Sequence, residues 1–186
     1  ALHTARIKRG ALDIEVPEMQ VQLDTKGNVE SIKDRDRLDS HRLIEEFMVL
    51  ANVCAAETLE EKKYPCVYRV HDVPNKDKVD GLRLNLEAFG IKLIKGQVIT
   101  SKLFNEILKK AAKHDAKETI NQLVLRSQSQ AIYSSNNLGH FGLGLRRYAH
   151  FTSPIRRYSD LLVHRALILA HNYGKDGGMK TTAEEL

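Results

Sequence analysis

The chain has 186 residues, of which 42% are apolar and 28% are charged, and its formal net charge is +5. That length and composition suffice for one domain with a hydrophobic core and exclude an intrinsically disordered chain. No run of residues approaches the ~18 apolar residues of a membrane-spanning helix, and the first residues lack the apolar core of a signal peptide. The mildly positive charge permits nucleic-acid binding without requiring it.

The sequence contains two cysteines, Cys54 and Cys66. Neither their spacing nor any combination of Cys and His residues matches a zinc site, and no secretion signal accompanies them. We therefore expect reduced thiols in a cytoplasmic protein that binds no membrane.

Apolar and polar residues alternate from about Arg6 to about Lys33, with breaks at Pro17 and at residues 26–28. A period of two interrupted by Pro and Gly is typical of a small antiparallel sheet. The acidic residues of this stretch alternate with apolar ones, which favours a solvated strand face over a metal site.

The segment from Asp39 or Ser40 to about Lys63 is apolar over more than half of a helical circumference. Two acidic residues, Glu45 and Glu46, interrupt that pattern, and on a buried helix each must pair with a cation or face a wet cleft. The pattern predicts a central helix whose buried residues are Leu43, Ile44, Phe47, Met48, Leu50, Ala51, Cys54, Ala55 and Leu59.

The middle of the chain contains four shorter periodic segments. Their periodicity predicts one strand, Cys66–His71, and three helices, Pro74–Phe89, Ser101–Lys113 and Lys117–Tyr133. Alternation returns from His140 to Phe151, with Gly142 and Gly144 inserted, and glycine within a strand often marks the close approach of another backbone.

The stretch from His150 to Leu167 organises the C-terminal part of the chain. Ser153 is a natural N-cap and Pro154 a natural first residue of a helix that the apolar spacing extends to about Tyr173. The first turn of this predicted helix carries Arg156 and Arg157, although a helix dipole favours acidic residues there. Either a bound anion such as phosphate accounts for the two cations, or both side chains extend into water.

The string His-Phe-Thr-Ser-Pro-Ile-Arg-Arg-Tyr at residues 150–158, followed by Asp-Leu and later by His-Arg, resembles the signature of the RNB catalytic domain. That domain belongs to the RNase II and RNase R family of exoribonucleases. Residues 139–150 and 43–52 are similar to the same family. The resemblance runs from about Arg9 to Ala170 and covers the second half of such a domain, so residues 1–186 are expected to be its C-terminal part, incomplete at both ends. The implied fold class is a mixed α+β fragment with a small antiparallel sheet and several helices.

By this resemblance, the chain is part of a hydrolytic 3′-to-5′ exoribonuclease that degrades single-stranded RNA to nucleoside 5′-monophosphates. Arg156 is then expected to clamp the scissile phosphate, and Glu45 to be the active-site glutamate beside it, with Glu46 as the alternative. The glycines of residues 140–151 would allow an RNA strand to approach closely. The further residues expected to contact RNA are Arg157, Ser153, Tyr158, His140, Tyr148 and His150.

In the family, the Mg²⁺ ligands are a cluster of Asp residues in the first half of the domain, and nothing in this sequence matches that cluster. Magnesium is therefore expected in a full-length parent protein and no metal in this chain, which alone is predicted to be inactive. The parent is expected to be a monomer with flanking oligonucleotide-binding barrels. The alternative hypothesis is a non-catalytic RNA-binding or interaction module derived from an RNB domain.

Overall fold

The computed structural model describes residues 1–14, 19–34 and 38–174. No helix within this described part of the chain is long and apolar enough to cross a membrane. A short 3-10 helix at Phe141–Leu143 precedes the last α-helix. The predicted mixed α+β fold class is confirmed by the element order, which is α1 (Leu2–Arg9), β1 (Met19–Leu23), β2 (Val29–Asp34), α2 (Asp39–Glu61), β3 (Tyr68–Val70), α3 (Lys76–Glu87), α4 (Ser101–Ala111), α5 (Lys117–Ser127), β4 (Ile132–Ser134) and α6 (Tyr158–His171).

β1 and β2 form the predicted antiparallel hairpin, in which Val21 pairs with Ile32. The turn is closed by Asp24, whose Oδ1 accepts hydrogen bonds from the backbone N–H groups of Lys26 and Asn28, both at 2.8 Å. These bonds satisfy the turn backbone locally, and local turn chemistry of this kind is readable from sequence.

The predicted start of strand alternation at Arg6 is wrong, because Leu2–Arg9 forms helix α1. Its last turn carries Arg6, Lys8 and Arg9, which suit the negative end of a helix dipole. Gly10 then ends the helix with φ at 79°, in the left-handed region that favours glycine. The break predicted at Pro17 lies outside the described residues.

Two clusters of buried apolar residues form the core. The first joins α3, α4 and α5 through Leu86, Phe104 and Ile120, which have no exposed surface. The second joins the C-terminal half of α2 to β3 and α6, and it contains the fully buried Leu59. Helices α2 and α6 also pack against each other.

The prediction that α2 is buried along its whole apolar stripe is wrong for six residues, which are exposed: Leu43, Ile44, Phe47, Met48, Leu50 and Cys54. Leu43, Ile44 and Phe47 are each more than half exposed, at 53%, 57% and 51%. Glu46 and Asn52, by contrast, are buried. The described residues pack against α2 chiefly along its C-terminal half. The apolar stripe extends further towards the N-terminus, where its side chains stay exposed.

The predicted helix Lys117–Tyr133 is shorter in the structure and ends at Ser127. Gln128 adopts an extended conformation, and Ile132–Ser134 forms β4, which pairs with β3 so that Tyr68 lies opposite Ser134. Pairing with a strand more than sixty residues earlier is a tertiary interaction, and such interactions override helical periodicity.

The predicted helix start at Ser153 and Pro154 is also wrong, because α6 begins at Tyr158. The backbone N–H groups of Arg156 and Arg157 both bond to the Ser153 carbonyl, at 3.3 and 3.2 Å, and so close a turn rather than a helix. Arg157 precedes α6 in an extended conformation. Neither arginine therefore lies in the first helical turn, and the expected conflict with the helix dipole does not arise.

Candidate functional site

One buried carboxylate fixes the loop that precedes α6. Asp160 has no exposed surface, and its Oδ2 accepts the backbone N–H of Ser153 at 2.8 Å. Its two oxygens also accept hydrogen bonds from Nε and Nη2 of Arg157, both at 2.8 Å. Burial opposes ionisation of Asp160, but the bonds from Arg157 and Ser153 outweigh it and hold the pKa of this carboxyl below its usual value.

The two adjacent arginines of this loop have different surroundings. Arg157 is engaged with Asp160, its side chain is 21% exposed, and the carboxylate raises the pKa of its guanidinium. Arg156 is exposed, and no carboxylate among the described residues forms an ion pair with it. Arg156 is therefore the member of the pair that is available to an external anion.

Residues beside the two arginines are also accessible. Ile155 is fully exposed at the tip of the loop, and Tyr158 is 65% exposed at the first position of α6. Ser153 contributes its backbone to the loop by accepting from Arg156 and donating to Asp160. The structure thus brings Ser153, Arg156, Arg157 and Tyr158 together on one anchored loop.

Helix α2 anchors the segment that leads into the loop through Asn52, which is 3% exposed. Its Nδ2 donates to the Tyr148 hydroxyl at 3.0 Å, and its Oδ1 accepts the Phe151 backbone N–H at 2.9 Å. The ring of Phe151 stacks on that of His164 from α6, with centroids 4.2 Å apart. Both helices of the second core therefore position residues 148–151.

A cluster of imidazole and phenol rings lies beside this segment. The ring centroids of His71 and His140 are 5.1 Å apart, those of His140 and Tyr148 are 5.2 Å apart, and those of Tyr148 and His150 are 5.7 Å apart. The chain of rings ends at Tyr133 on β4, whose hydroxyl lies 2.8 Å from Nδ1 of His150. The three ring residues predicted to contact RNA, His140, Tyr148 and His150, are thus neighbours.

These histidines are held in the neutral form. Burial, together with nearby cationic or protonated groups, lowers the pKa of both His140 and His150 to about 4. For His140 the neighbours are His71 and Arg69, while for His150 the largest charge effect comes from Arg157. Near pH 7 both rings therefore act as neutral hydrogen-bonding groups.

The glycines of the segment are explained by close approach within the chain itself. A Cβ at Gly142 would lie 2.8 Å from Nδ1 of His71, which accepts the Gly142 N–H at 3.0 Å. Gly144 has φ at 60°, and a Cβ there would lie 2.9 Å from the Arg9 carbonyl oxygen. The interpretation that these glycines admit an RNA strand is therefore replaced by packing against His71 and Arg9.

The glutamates of α2 face helix α1. The guanidinium of Arg6 lies 3.2 Å from Oε1 of Glu45 and 3.5 Å from Oε1 of Glu46. The Glu46 side chain is 9% exposed and that of Glu45 is 39% exposed. Glu46, the alternative candidate for the active-site glutamate, is therefore the more buried of the two. The position of Glu45 beside Arg156 stays a prediction.

A family model for the RNB domain matches residues 1–172 of the chain. The chain belongs to the RNB domain family. It is 41% identical over 177 residues to a ribonuclease R from Vibrio cholerae, covering 94% of this chain and 22% of that protein. The chain therefore spans about a fifth of the length of this curated relative.

Solved structures agree with this RNB assignment. The RNase R of Mycoplasma genitalium in complex with ribose-methylated single-stranded RNA is similar with a TM-score of 0.83 and 31% identity, over 94% of this chain and 28% of that one. A pseudonuclease, yeast Ssd1, is similar with a TM-score of 0.65 and 25% identity, over 80% of this chain and 18% of that one.

Magnesium, which the resemblance implies for this RNB family, requires a set of oxygen ligands. Within the described ranges 1–14, 19–34 and 38–174, there is no group of three or more His, Cys, Asp or Glu residues that could hold a metal ion. The donor set described for this RNB segment therefore does not fit a metal site, and the expectation of Mg²⁺ in a parent protein stays a prediction.

Sequence reasoning assigned no role to three residues that contact the arginine loop or the ring cluster: Asp160, Arg69 and Tyr133. Asp160 follows Arg157 by three positions, a spacing at which opposite charges pair on a helix, so its role was detectable. Tyr133 was hidden by the helix predicted through it. Arg69 carried no local signal, since its neighbours are distant in sequence.

Proposed function

We propose that this chain is part of the catalytic domain of a hydrolytic 3′-to-5′ exoribonuclease that degrades single-stranded RNA to nucleoside 5′-monophosphates. In this proposal Arg156 contacts the scissile phosphate. The observation that carries the proposal is the contrast between the exposed, unneutralised Arg156 and its neighbour Arg157, whose fork is bound to the buried Asp160. Membership of the RNB family supports the reaction class.

A guanidinium at this position has a defined task in phosphodiester hydrolysis. Negative charge must be neutralised on the phosphoryl oxygens as the bond to the leaving oxygen breaks. The planar fork of Arg156 can donate two parallel hydrogen bonds to those oxygens, which an ammonium group cannot do. Because the loop is tied to Asp160 and Asn52, the orientation of that fork requires little ordering when RNA binds.

The remaining predicted RNA contacts surround this arginine. Neutral His140 and His150 and the exposed Tyr158 offer hydrogen bonds and ring surface to sugars and bases. Tyr148, predicted to contact RNA itself, is buried with its hydroxyl bonded to Asn52, so its part in this proposal is to position the rings of His140 and His150. We further propose that Glu45 or Glu46 faces the same bound strand, with Arg6 limiting the repulsion between that carboxylate pair and RNA. Arg157 reaches RNA in this proposal only through the part of its guanidinium that Asp160 leaves free.

The cellular setting follows from the same reasoning. Cys54 and Cys66 are both free thiols, and burial raises the pKa of Cys66 to about 12, so that thiol is unreactive. We propose a cytoplasmic, monomeric parent with flanking oligonucleotide-binding barrels and with Mg²⁺ bound by residues outside this chain.

A non-catalytic RNA-binding module is the second candidate function. It is favoured by the similarity to a protein described as a pseudonuclease. In that case Arg156 would hold a phosphate in the ground state and would have no role in a reaction.

Two assays on the chain and its parent separate the candidates. Labelled oligoadenylate incubated with this chain and Mg²⁺ should be bound but remain intact, whereas the full-length parent should release mononucleotides. A parent that binds the oligonucleotide without cleaving it would support the non-catalytic module. Robust cleavage by the chain alone would show that its metal ligands have been misidentified.

A further inference from the structure

A further arginine, Arg69, lies close to the ring cluster, where the pairing of β3 with β4 places it. Arg69 is partly buried in the middle of β3, and its guanidinium carbon lies 4.7 Å from the centroid of the Tyr133 ring on β4. Among the residues that the structure describes, no carboxylate forms an ion pair with Arg69. A partly buried guanidinium without an acidic partner is uncommon, because desolvation of the charge is not offset.

The surroundings of Arg69 supply ring contacts but little negative charge. Its positive charge acts on His71, His140 and His150, so these rings lie near it. Three guanidinium groups, those of Arg69, Arg156 and Arg157, act on His150, against one carboxylate, Asp160. Since Asp160 already binds the fork of Arg157, the region around His150 carries excess positive charge.

Tyr133 makes this region accessible. It keeps 42% of its surface exposed, while its hydroxyl is tied to His150 and one face of its ring is covered by Arg69. A fixed, exposed aromatic ring beside an unneutralised arginine matches the two repeating groups of a single-stranded nucleic acid, the base and the phosphate.

We propose that Arg69 and Tyr133 form a second RNA-binding site, in which Arg69 binds a backbone phosphate and the exposed part of Tyr133 contacts a nucleobase. This inference rests on the proposed function, since it assumes that the strand held at Arg156 continues across the ring cluster. Neither residue touches the scissile phosphate in this arrangement. Their role is to bind and align the strand.

The test is the affinity of this chain for fluorescein-labelled oligoadenylate, measured by anisotropy from 50 to 200 mM salt. Arg69→Gln should weaken binding about tenfold, and the slope of log affinity against log salt should fall in magnitude by about 0.7, the value for one phosphate contact on a single strand. Tyr133→Leu should weaken binding at least about fivefold, because base–aromatic stacking is lost. Tyr133→Phe, which keeps the ring, should stay near wild type.

Two controls separate a direct contact from general effects. Arg69→Lys keeps the charge and should retain the wild-type salt slope, which a variant that merely disturbed the fold would not do. Lys110→Gln removes an exposed charge from α4, a helix that packs in the first core cluster, away from Arg69. This change should alter neither the affinity for oligoadenylate nor the salt slope.

The outcomes also separate this inference from the function on which it rests. A wild-type chain that does not bind oligoadenylate would contradict the proposed function. Wild-type binding with an unchanged affinity and slope for Arg69→Gln, or an equal loss for Lys110→Gln, would overturn the second site while leaving the role of Arg156 intact.

Discussion

The two halves of helix α2 have the same kind of sequence, but the C-terminal half buries more of its apolar residues. In the C-terminal half, Leu59 has no exposed surface and Asn52 holds the approach to the arginine loop by two hydrogen bonds. In the N-terminal half, Leu43 and Phe47 are 53% and 51% exposed. Periodicity therefore identifies the apolar face of a helix, whereas the burial of that face depends on which other parts of the chain pack against it.

The β1–β2 hairpin, like the N-terminal half of α2, carries apolar side chains that are exposed. Val21 and Ile32 pair across β1 and β2 and are 50% and 59% exposed. The chain spans only 22% of the Vibrio cholerae relative, and its arginine loop lies beside the half of α2 that is covered within the chain. The arginine loop and the ring cluster of the candidate site therefore lie against the covered half of α2, whereas Glu45 and Glu46 lie on its more exposed half.

Truncation of one leucine in each half of α2 gives the sharpest contrast. Leu59→Ala should reduce the free energy of unfolding by about 4 kcal/mol, because it removes buried methyl groups and leaves a cavity. Leu43→Ala, the matched control on the same helix, should reduce the free energy of unfolding by less than about 1 kcal/mol. Urea unfolding monitored by circular dichroism provides both values, and equal losses would contradict the division of α2.

The polar anchor of the covered region can be broken at Asp160. Both of its oxygens accept hydrogen bonds, so Asp160→Asn must set an N–H donor against a donor of Arg157 or Ser153 whichever way the amide turns. We expect a loss of about 3 kcal/mol in the free energy of unfolding.

Glu60→Gln is the matched control, since Glu60 pairs with Arg147 at a site where both side chains are about 40% exposed. Solvent-exposed pairs contribute little, so this change should cost below about 1 kcal/mol. A loss at Glu60 as large as that at Asp160 would mean that the arginine loop is no better anchored than the surface.

A smaller, pH-dependent effect tests the ring cluster. The pKa values of His140 and His150 are about 4 in the folded chain, against about 6.5 in an unfolded one. Between about pH 4 and pH 6.5 the unfolded chain therefore binds more protons than the folded chain. The contribution of the two histidines to the free energy of unfolding is fully present above about pH 6.5 and declines as the pH falls towards 4. Allowing for solvent screening, each histidine should lower the free energy of unfolding by roughly 1 kcal/mol at pH 5 relative to pH 7.

The direct measurement is an NMR titration of the imidazole carbon-bound protons. Both rings should titrate with midpoints well below 6, and unfolding at pH 5 should need less urea than at pH 7. Midpoints near 6.5 for His140 and His150 would contradict the burial of this cluster.

The elements that were predictable from sequence are those determined by local signals. The caps of α3 and α4 are examples: Asn75 accepts the Lys78 N–H at 2.9 Å, and Thr100 accepts the Leu103 N–H at 3.2 Å. The break predicted at residues 26–28 is likewise a local feature, a turn closed by Asp24. The arginine motif was identified by its resemblance to a family signature rather than by periodicity.

The elements that were mispredicted are those decided by tertiary contacts. Ser153 and Pro154 form a strong local start signal, but Asp160 draws the Ser153 N–H into the loop and the helix begins at Tyr158. The pairing of β4 with β3 ended α5 early, and Arg69 opposite Tyr133 became visible only through that pairing. A single sequence does not specify which distant segments meet.

Single-turnover kinetics in the full-length parent test whether Arg156 acts on the scissile phosphate while Arg157 is held by Asp160. Arg156→Ala should lower the rate of the bound complex by about 10²- to 10³-fold, by analogy with loss of an oxyanion donor, while the dissociation constant for RNA changes by less than about tenfold. Arg156→Lys should restore little of that rate, and Arg165→Ala on α6 should leave it near wild type. If Arg156→Ala instead weakens binding and leaves the bound-state rate unchanged, Arg156 is a binding residue and the catalytic assignment is contradicted.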